Sequence, residues 1–306
     1  MTTYIIRRIL VMFLVLIGVS IIVFLMVHLV PGDPARIMLG VRANSESVVK
    51  LREQMGLNEP LIKQYLDFAS NAIRGDLGRS VATNRAVIGE ILTRLDATLL
   101  LAFTGMGIAI IFGIFAGVTS AVYRDTWIDS VIMILAMLGV SVPSFWLGLM
   151  LIVLFAVNLN WFPSMGYGSI SNLVLPAISL GFLASTVIAR MTRASMLEVL
   201  YKDYIYTARA KGLSERTVVY KHALRNALIS VITIIGVQFG SLLGGTVIIE
   251  KLFAWPGIGR LAINAIMSRD FPLIQGIVLF IAFGFSIINL IIDIIYTVLD
   301  PRIKYS

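Results

Sequence analysis

Apolar residues gather along this chain in long unbroken runs, not in the alternation of a strand or the one-sided stripe of a soluble helix. The first run, Ile9 to Val30, holds 22 residues without a charge. At 1.5 Å per residue it covers about 33 Å, enough for the hydrocarbon core of a bilayer. Five more runs follow, at Ala97–Val122, Val131–Val157, Leu173–Ala189, Leu228–Ile249 and Ile277–Leu299. Each predicts a membrane-crossing helix, because lipid offers backbone groups no partner outside the helix itself. The first run exceeds the apolar core of a cleaved secretory signal and no small-residue cleavage site follows it, so it reads as a retained span. Pro143 and Pro176 are expected to kink or start their helices. The predicted fold class is all-α, a polytopic membrane protein with six spans.

The connecting segments differ in kind. Residues 31–96 read as a small helical element. The turn "PGDP" closes the first span, Val48, Leu51 and Met55 keep helical spacing, and Leu61, Tyr65, Phe68 and Ala72 keep it again after Pro60. Gly75 and Gly78 break the pattern. Segment 158–172 is short. Segment 250–276 carries Trp255-Pro256-Gly257, then Gly259 within an apolar stripe of Ile258, Leu261, Ala262 and Ile266, with Arg260 and Arg269 off it. Segment 190–227 is helical on both sides of Gly212, which can take φ > 0 and turn the chain at once. These divisions give a first span over 1–30, a helical loop over 31–96 and a five-span core over 97–306, with an exposed knob at about 193–227.

Composition narrows the function. Of 306 residues 58% are hydrophobic and 14% charged, and mean hydropathy is +0.92, which excludes a soluble enzyme and a disordered chain. There is no Cys, and the two His, His28 and His222, lie far apart, so thiolate metal sites, disulfides and a His-rich metal site are excluded. The net charge of +8 reads as loop charge holding a membrane protein in orientation, not as a nucleic-acid footprint. With six spans, 13 Lys and Arg fall on the side of the termini and 12 on the other. Nine of those twelve sit in the long segment 31–96, and long loops escape the positive-inside rule. Both termini are therefore expected inside.

Within the spans, Gly105, Ala109, Gly113, Gly117 and Ala121 recur every four residues, as do Gly236, Gly240 and Gly244. Small residues so spaced let helices approach closely in lipid, within the subunit or against a sister chain. Gln238, Ser241 and Asn289 are polar positions that could line a pathway. Asp293 is an acid deep in a predicted span, near its inner end, where a structural pairing suits it. Trp146, Trp161 and Trp255 fit interface or loop positions. The chain has no G-x-x-x-x-G-K-[ST] phosphate loop, so energy from ATP would have to come from a partner. A stand-alone channel or secondary transporter is the competing class, but the internal repeats and paired intramembrane charges of the latter are not seen here.

"TARAKGLS" at Thr207–Ser214, followed by "HALRNAL" at His222–Leu228, resembles the coupling loop, or EAA loop, of ABC importer permeases in the dipeptide/oligopeptide/nickel family. Further matching motifs run in order: "PGDP" (31–34), "GLNEP" (56–60), "GDLGRS" (75–80), "RMTRASMLEVL" (190–200), "WPGIG" (255–259), "RDFP" (269–272) and "DPRI" (300–303). The loop glycine of the family falls on Gly212 and its alanine on Ala208. The glutamate of the general pattern falls on Tyr206, where this sequence departs from it. The resemblance implies a type I importer permease fold in a bacterial inner membrane. It also implies a homologous second permease, two ATPase subunits that hold ATP and Mg, and an extracytoplasmic binding protein that delivers a di- or oligopeptide, with glutathione or a nickel chelate as alternatives. It assigns ATPase coupling to Tyr206, Thr207, Ala208, Lys211, Gly212, Leu213 and Ser214. An outer gate is expected at Trp255, Pro256, Gly257 and Gly259. The short segment 158–172 favours oligopeptide- or glutathione-like relatives.

The topology has a direct test in this Cys-free background. A Cys replacing Asn71 should react with a membrane-impermeant maleimide in intact cells or spheroplasts, and one replacing Ser214 only after permeabilisation. The reverse pattern would overturn the six-span arrangement.

Overall fold

The structure, a computed structural model, describes residues 2–29, 33–39, 44–54 and 56–299. Pro31 and Gly32 of the first turn, Met55 and the "DPRI" motif lie outside the described residues. The described chain is a succession of helices: α1 (Thr2–Leu29), α2 (Pro34–Leu39), α3 (Ser45–Gln54), α4 (Leu61–Ile73), α5 (Val87–Val122), α6 (Trp127–Ser141), α7 (Ser144–Leu151), α8 (Ile170–Leu200), α9 (Asp203–Ala210), α10 (Glu215–Thr217), α11 (Leu224–Leu252), α12 (Ile258–Ser268) and α13 (Phe271–Leu299). Two stretches, Ile152–Asn158 after α7 and Val218–Ala223 before α11, are wound as π-helix.

Five helical segments are long and apolar enough to cross a membrane: Ile6–Met26, Val87–Val122, Ile170–Leu200, Glu215–Leu252 and Phe271–Ile294. The single helix expected over Val131–Val157 is instead two, α6 and the helix from Ser144 to Asn158, bent by 106°. Counted as one broken span, they make six. The cause is Pro143, which lacks an N–H and drives the residue before it out of the helical region. Val142 is extended, at φ −88° and ψ 121°. Pro176, by contrast, sits buried inside α8.

Span boundaries also move. α5 starts ten residues before Ala97, because its charges are satisfied within the helix. The Arg94 guanidinium donates to the buried Glu90 carboxylate at 2.8 Å, and the Thr83 hydroxyl donates to the same carboxylate at 2.9 Å. An i,i+4 pair of this kind carries a helix past what hydropathy alone would allow.

The chain divides into two compact units, residues 1–97 with 256–290 and residues 98–255 with 291–306. The core of the first joins Val87 and Ile91 of α5, Ile258, Leu261 and Ala265 of α12, and Phe271, Ile274 and Ile277 of α13. The stripe expected on α12 is therefore rotated: Ile266 is 58% exposed and Ala265 takes the inward place. A buried carboxylate ties this unit together. Asp270, 1% exposed, accepts from the Ser80 hydroxyl at 2.5 Å and from the backbone N–H groups of Val81, Ala82 and Leu273 at 3.2, 3.1 and 3.3 Å. The left-handed conformation of Arg269, φ +57°, turns the chain out of α12 immediately before that acid.

In the second unit α5 lies against α8 along its glycines. A Cβ on Gly113 would meet Ile188 at 2.8 Å, one on Gly117 would meet the Ala189 carbonyl at 2.5 Å, and one on Gly181 would meet the Gly105 carbonyl at 2.3 Å. The glycine stripe of α5 is thus an internal packing face. On α11, Gly236 meets Ile292 in the same way, whereas a Cβ on Gly244 has open space. Gly117→Val should push the two helices apart and lower thermal stability in detergent by ~1–3 kcal/mol or more. Gly107→Val on the same helix, where a Cβ meets nothing within 4 Å, should leave the melting curve unchanged.

Candidate functional site

The knob between α8 and α11 is built from four short pieces. α8 ends at Leu200, and Lys202 opens α9 in an extended conformation. α9 then ends in a Schellman turn. The N–H of Gly212 bonds the Arg209 carbonyl at 2.9 Å, and that of Leu213 bonds the Ala208 carbonyl at 3.4 Å. This geometry needs a left-handed residue one place past the cap, and Gly212 supplies it at φ +75°. Ser214 then caps α10, accepting from the Thr217 N–H at 3.4 Å. The helix–glycine–helix pattern read from the sequence is what the structure contains.

One face of the knob is turned to its own chain. Ile205 and Ala208 are buried among Val118 and Ala121 of α5, Met196 of α8, Val218, Val219 and Ala223 of the π-helical turn, and Ala227 of α11. Burying a side chain the size of Ile205 stabilises by about 2 kcal/mol. Ala208, expected at a partner surface, instead packs on its own chain, because helical spacing puts it on the same face as Ile205. The opposite face is open: Tyr204, Tyr206, Thr207, Lys211, Gly212, Leu213 and Ser214 are all exposed. Across the turn, the Arg209 guanidinium donates to both Glu215 carboxylate oxygens, at 2.7 and 3.1 Å. That carboxylate raises the Arg209 guanidinium above its already high ordinary value, so Arg209 is charged throughout the physiological range.

An ion pair not anticipated from the sequence, its acid buried and its arginine half-buried, lies next to this core. The Arg193 guanidinium on α8 donates to both Asp129 oxygens, at 2.8 and 2.6 Å. Asp129 also accepts from the Ser120 hydroxyl and from the Asp125 N–H. Arg124 in the same turn donates to the Tyr201 hydroxyl at 2.9 Å, at the C-terminal cap of α8. The α5–α6 turn is thereby fastened to the end of α8, one residue before α9 is prepared. The signal was present as an acid in the first turn of α6 and a basic residue in "RMTRASMLEVL", but no local periodicity links positions 64 residues apart.

The remaining sequence candidates are dispersed. Gln238 is half-buried and Ser241 exposed on α11, and Asn289 is half-buried on α13. None of them lines the apolar cleft of about 400 Å³ that α5, α6 and α8 enclose. Trp255 lies in the loop between α11 and α12, one of the two positions expected for it, but it is buried there: it is 1% exposed and meets Tyr167 edge-on at 4.8 Å. Pro256, Gly257 and Gly259 belong to the first unit, where Gly257 caps α12.

The described chain is thus a many-span helical protein with a small helix between two spans, anchored on one face and bare on the other. The chain belongs to the binding-protein-dependent transport system inner membrane component family, whose model matches residues 96–305, with the N-terminal model of the same systems matching residues 1–102. It is thus an ABC importer permease of the dipeptide/oligopeptide type. It is 46% identical over all 306 residues, the full length of both chains, to the glutathione transport system permease protein GsiC of Escherichia coli O6:H1 (strain CFT073). The GsiC protein of Shigella dysenteriae serotype 1 (strain Sd197) is similar to the same degree. Among solved structures, an inward-facing form of the MetNI methionine ABC transporter aligns with a TM-score of 0.59 at 18% identity, covering 68% of this chain and 95% of that one, which shows the shared fold.

Arg193 is a quarter exposed and Asp129 keeps its bonds from Ser120 and Asp125, so losing the arginine leaves a buried carboxylate only partly satisfied, which costs about 1–3 kcal/mol. Arg193→Met should therefore destabilise the protein by that order. The double variant Asp129→Asn with Arg193→Met should recover part of the loss in a thermal-melt double-mutant cycle.

Proposed function

We propose that this chain is the translocating subunit of an ATP-driven importer for short peptides, glutathione among them. In that reading it pairs with a second homologous permease, two ATPase subunits that bind ATP and Mg, and an extracytoplasmic binding protein. The observation that carries the substrate class is the 46% identity to the glutathione permeases over the full length of both chains. The chain crosses the inner membrane with both termini cytoplasmic, residues 31–96 outside and the knob inside.

The geometry of the knob supports a coupling step. The ATPase docks on the bare face, Tyr206, Thr207, Lys211, Gly212, Leu213 and Ser214. Ile205 and Ala208 fix α9 to the ends of α5, α8 and α11, so displacement of α9 moves those three helices together. Ala208 acts here as an anchor. Trp255, Pro256, Gly257 and Gly259 form the outer gate, and Gln238, Ser241 and Asn289 face the pathway.

The test is uptake into proteoliposomes holding the complete complex. Labelled glutathione or a short peptide should accumulate only with ATP and the loaded binding protein. Uptake without ATPase subunits would make the chain a stand-alone transporter, and uptake of neither solute would overturn the substrate class. Gly212→Val should lower substrate-stimulated ATP hydrolysis and uptake by about 5- to 30-fold, since the left-handed conformation costs an L-residue about 1–2 kcal/mol. Gly212→Asn, which tolerates that conformation, should keep most of the activity. Wild-type uptake by the valine variant would remove the turn from the mechanism.

A further inference from the structure

α4 has two dissimilar sides. Lys63, Asp67 and Asn71 lie along one, and Asp67 and Asn71 line an open cleft of about 1050 Å³. Leu61, Ile62, Leu66, Ala69 and Ile73 lie along the other with no charge among them. At the 100° step of a helix Ile62, Leu66, Ala69 and Ile73 fall within about 60° of one another, and Leu61 lies about 80° further round, beyond Tyr65 and Ala72. Their exposure is large: 53% for Leu61, 75% for Ile62, 59% for Leu66 and 83% for Ile73. A helix in water would not be expected to bare four large aliphatic side chains on one side.

What covers this arc follows from where α4 is fastened. Its border with the polar side is packed on α1, a helix whose stretch Ile6–Met26 is apolar enough to cross a membrane. Gln64 meets His28 at 3.1 Å, Phe24 meets the rings of Tyr65 and Phe68 at 5.5 and 5.9 Å, and the Tyr65 hydroxyl meets that of Ser20 at 3.0 Å. Ser20 lies six residues inside the Met26 end of that stretch, about 9 Å along the helix axis. α4 therefore sits beside the last turns of a span, at the depth where headgroups meet acyl chains. α1 bares Ile21 and Leu25 within the same stretch that α4 contacts.

We infer that α4 is an interfacial membrane helix. Its Ile62–Leu66–Ile73 face is embedded in the leaflet at the Met26 end of α1, and its Lys63–Asp67 face is in water. The occupant of the face is the lipid of that leaflet, held at the 5–10 Å depth usual for amphipathic helices. Tyr65, with an apolar ring and a hydroxyl that reaches Ser20, is an interface anchor in the same sense. The cleft above α4 is thereby held at the membrane surface. This inference rests on the span and the contacts to it, and it stands whatever the transported solute proves to be.

The test uses the full complex in lipid nanodiscs, without the binding protein, and single Cys variants in the Cys-free chain. Ile62→Cys, Leu66→Cys and Ile73→Cys are labelled with an environment-sensitive fluorophore, with Lys63→Cys and Asp67→Cys as the opposite face. The first three should emit further to the blue and be quenched severalfold more by lipids spin-labelled near the headgroup than by a water-soluble quencher. The last two should show the reverse order. Equal quenching of both faces by the aqueous reagent would overturn the inference. So would protection of the Ile62 face from both quenchers, since that result would put a partner subunit, not lipid, on it.

Discussion

The approach of α5 to α8 is the contact on which the second unit is built. In lipid no hydrophobic gain rewards two helices for meeting, so their adhesion depends on how closely the backbones can come. Gly105, Gly113, Gly117 and Gly181 remove the side chains that would hold them apart. The consequences run toward the end of the pair that bears the knob. With the two axes close, Val118 and Ala121 reach Met196, and these three residues are part of the surface on which α9 is seated. The same closeness puts Ser120 and Arg193 on either side of Asp129. A packing device with no chemistry of its own thus sets the position of every group at that end.

Two buried carboxylates organise the ends of helices by the same physical rule. A charge withdrawn from water must find donors, and the segments that carry the donors become fixed to one another. Asp129 gathers the α5–α6 turn and α8. Asp270 gathers the loop at 80–82 and the first turn of α13, with three backbone N–H groups and a hydroxyl in place of a cationic partner. This gives a physical account of two sequence motifs 190 residues apart, "GDLGRS" and "RDFP": the last residue of one donates to the acid of the other.

Much of the architecture was legible in the chain. Six apolar runs located the long helices, Pro143 marked the break between α6 and α7, and Gly212 marked the turn of the knob. What the pattern missed has definite causes. The extension of α5 to Val87 was hidden by Glu90 and Arg94, whose charges cancel one turn apart. The inward rotation of α12 was hidden because Ala262, Ala265 and Ile266 are all apolar, and only the position of its neighbours decides among them. Trp255 sits in a loop, as its place in the sequence suggested, but its burial was not legible because the ring that meets it, Tyr167, is distant in sequence. The Asp129–Arg193 pair and the Asp270 clasp are tertiary contacts between elements that no local period connects.

α9 divides its eight residues between two tasks that share no side chain. Ile205 and Ala208 hold it to its own chain, and the Tyr204 hydroxyl accepts from Asn226 of α11 at 3.0 Å, while Tyr206 and Thr207 face away. Substitutions at Tyr206 and Thr207 should change the exposed surface of α9 without loosening the fold, and those at Ile205 and Ala208 should loosen it. Fold stability and the chemistry of the bare surface are therefore separable on a single short helix, so either can change while the other is kept.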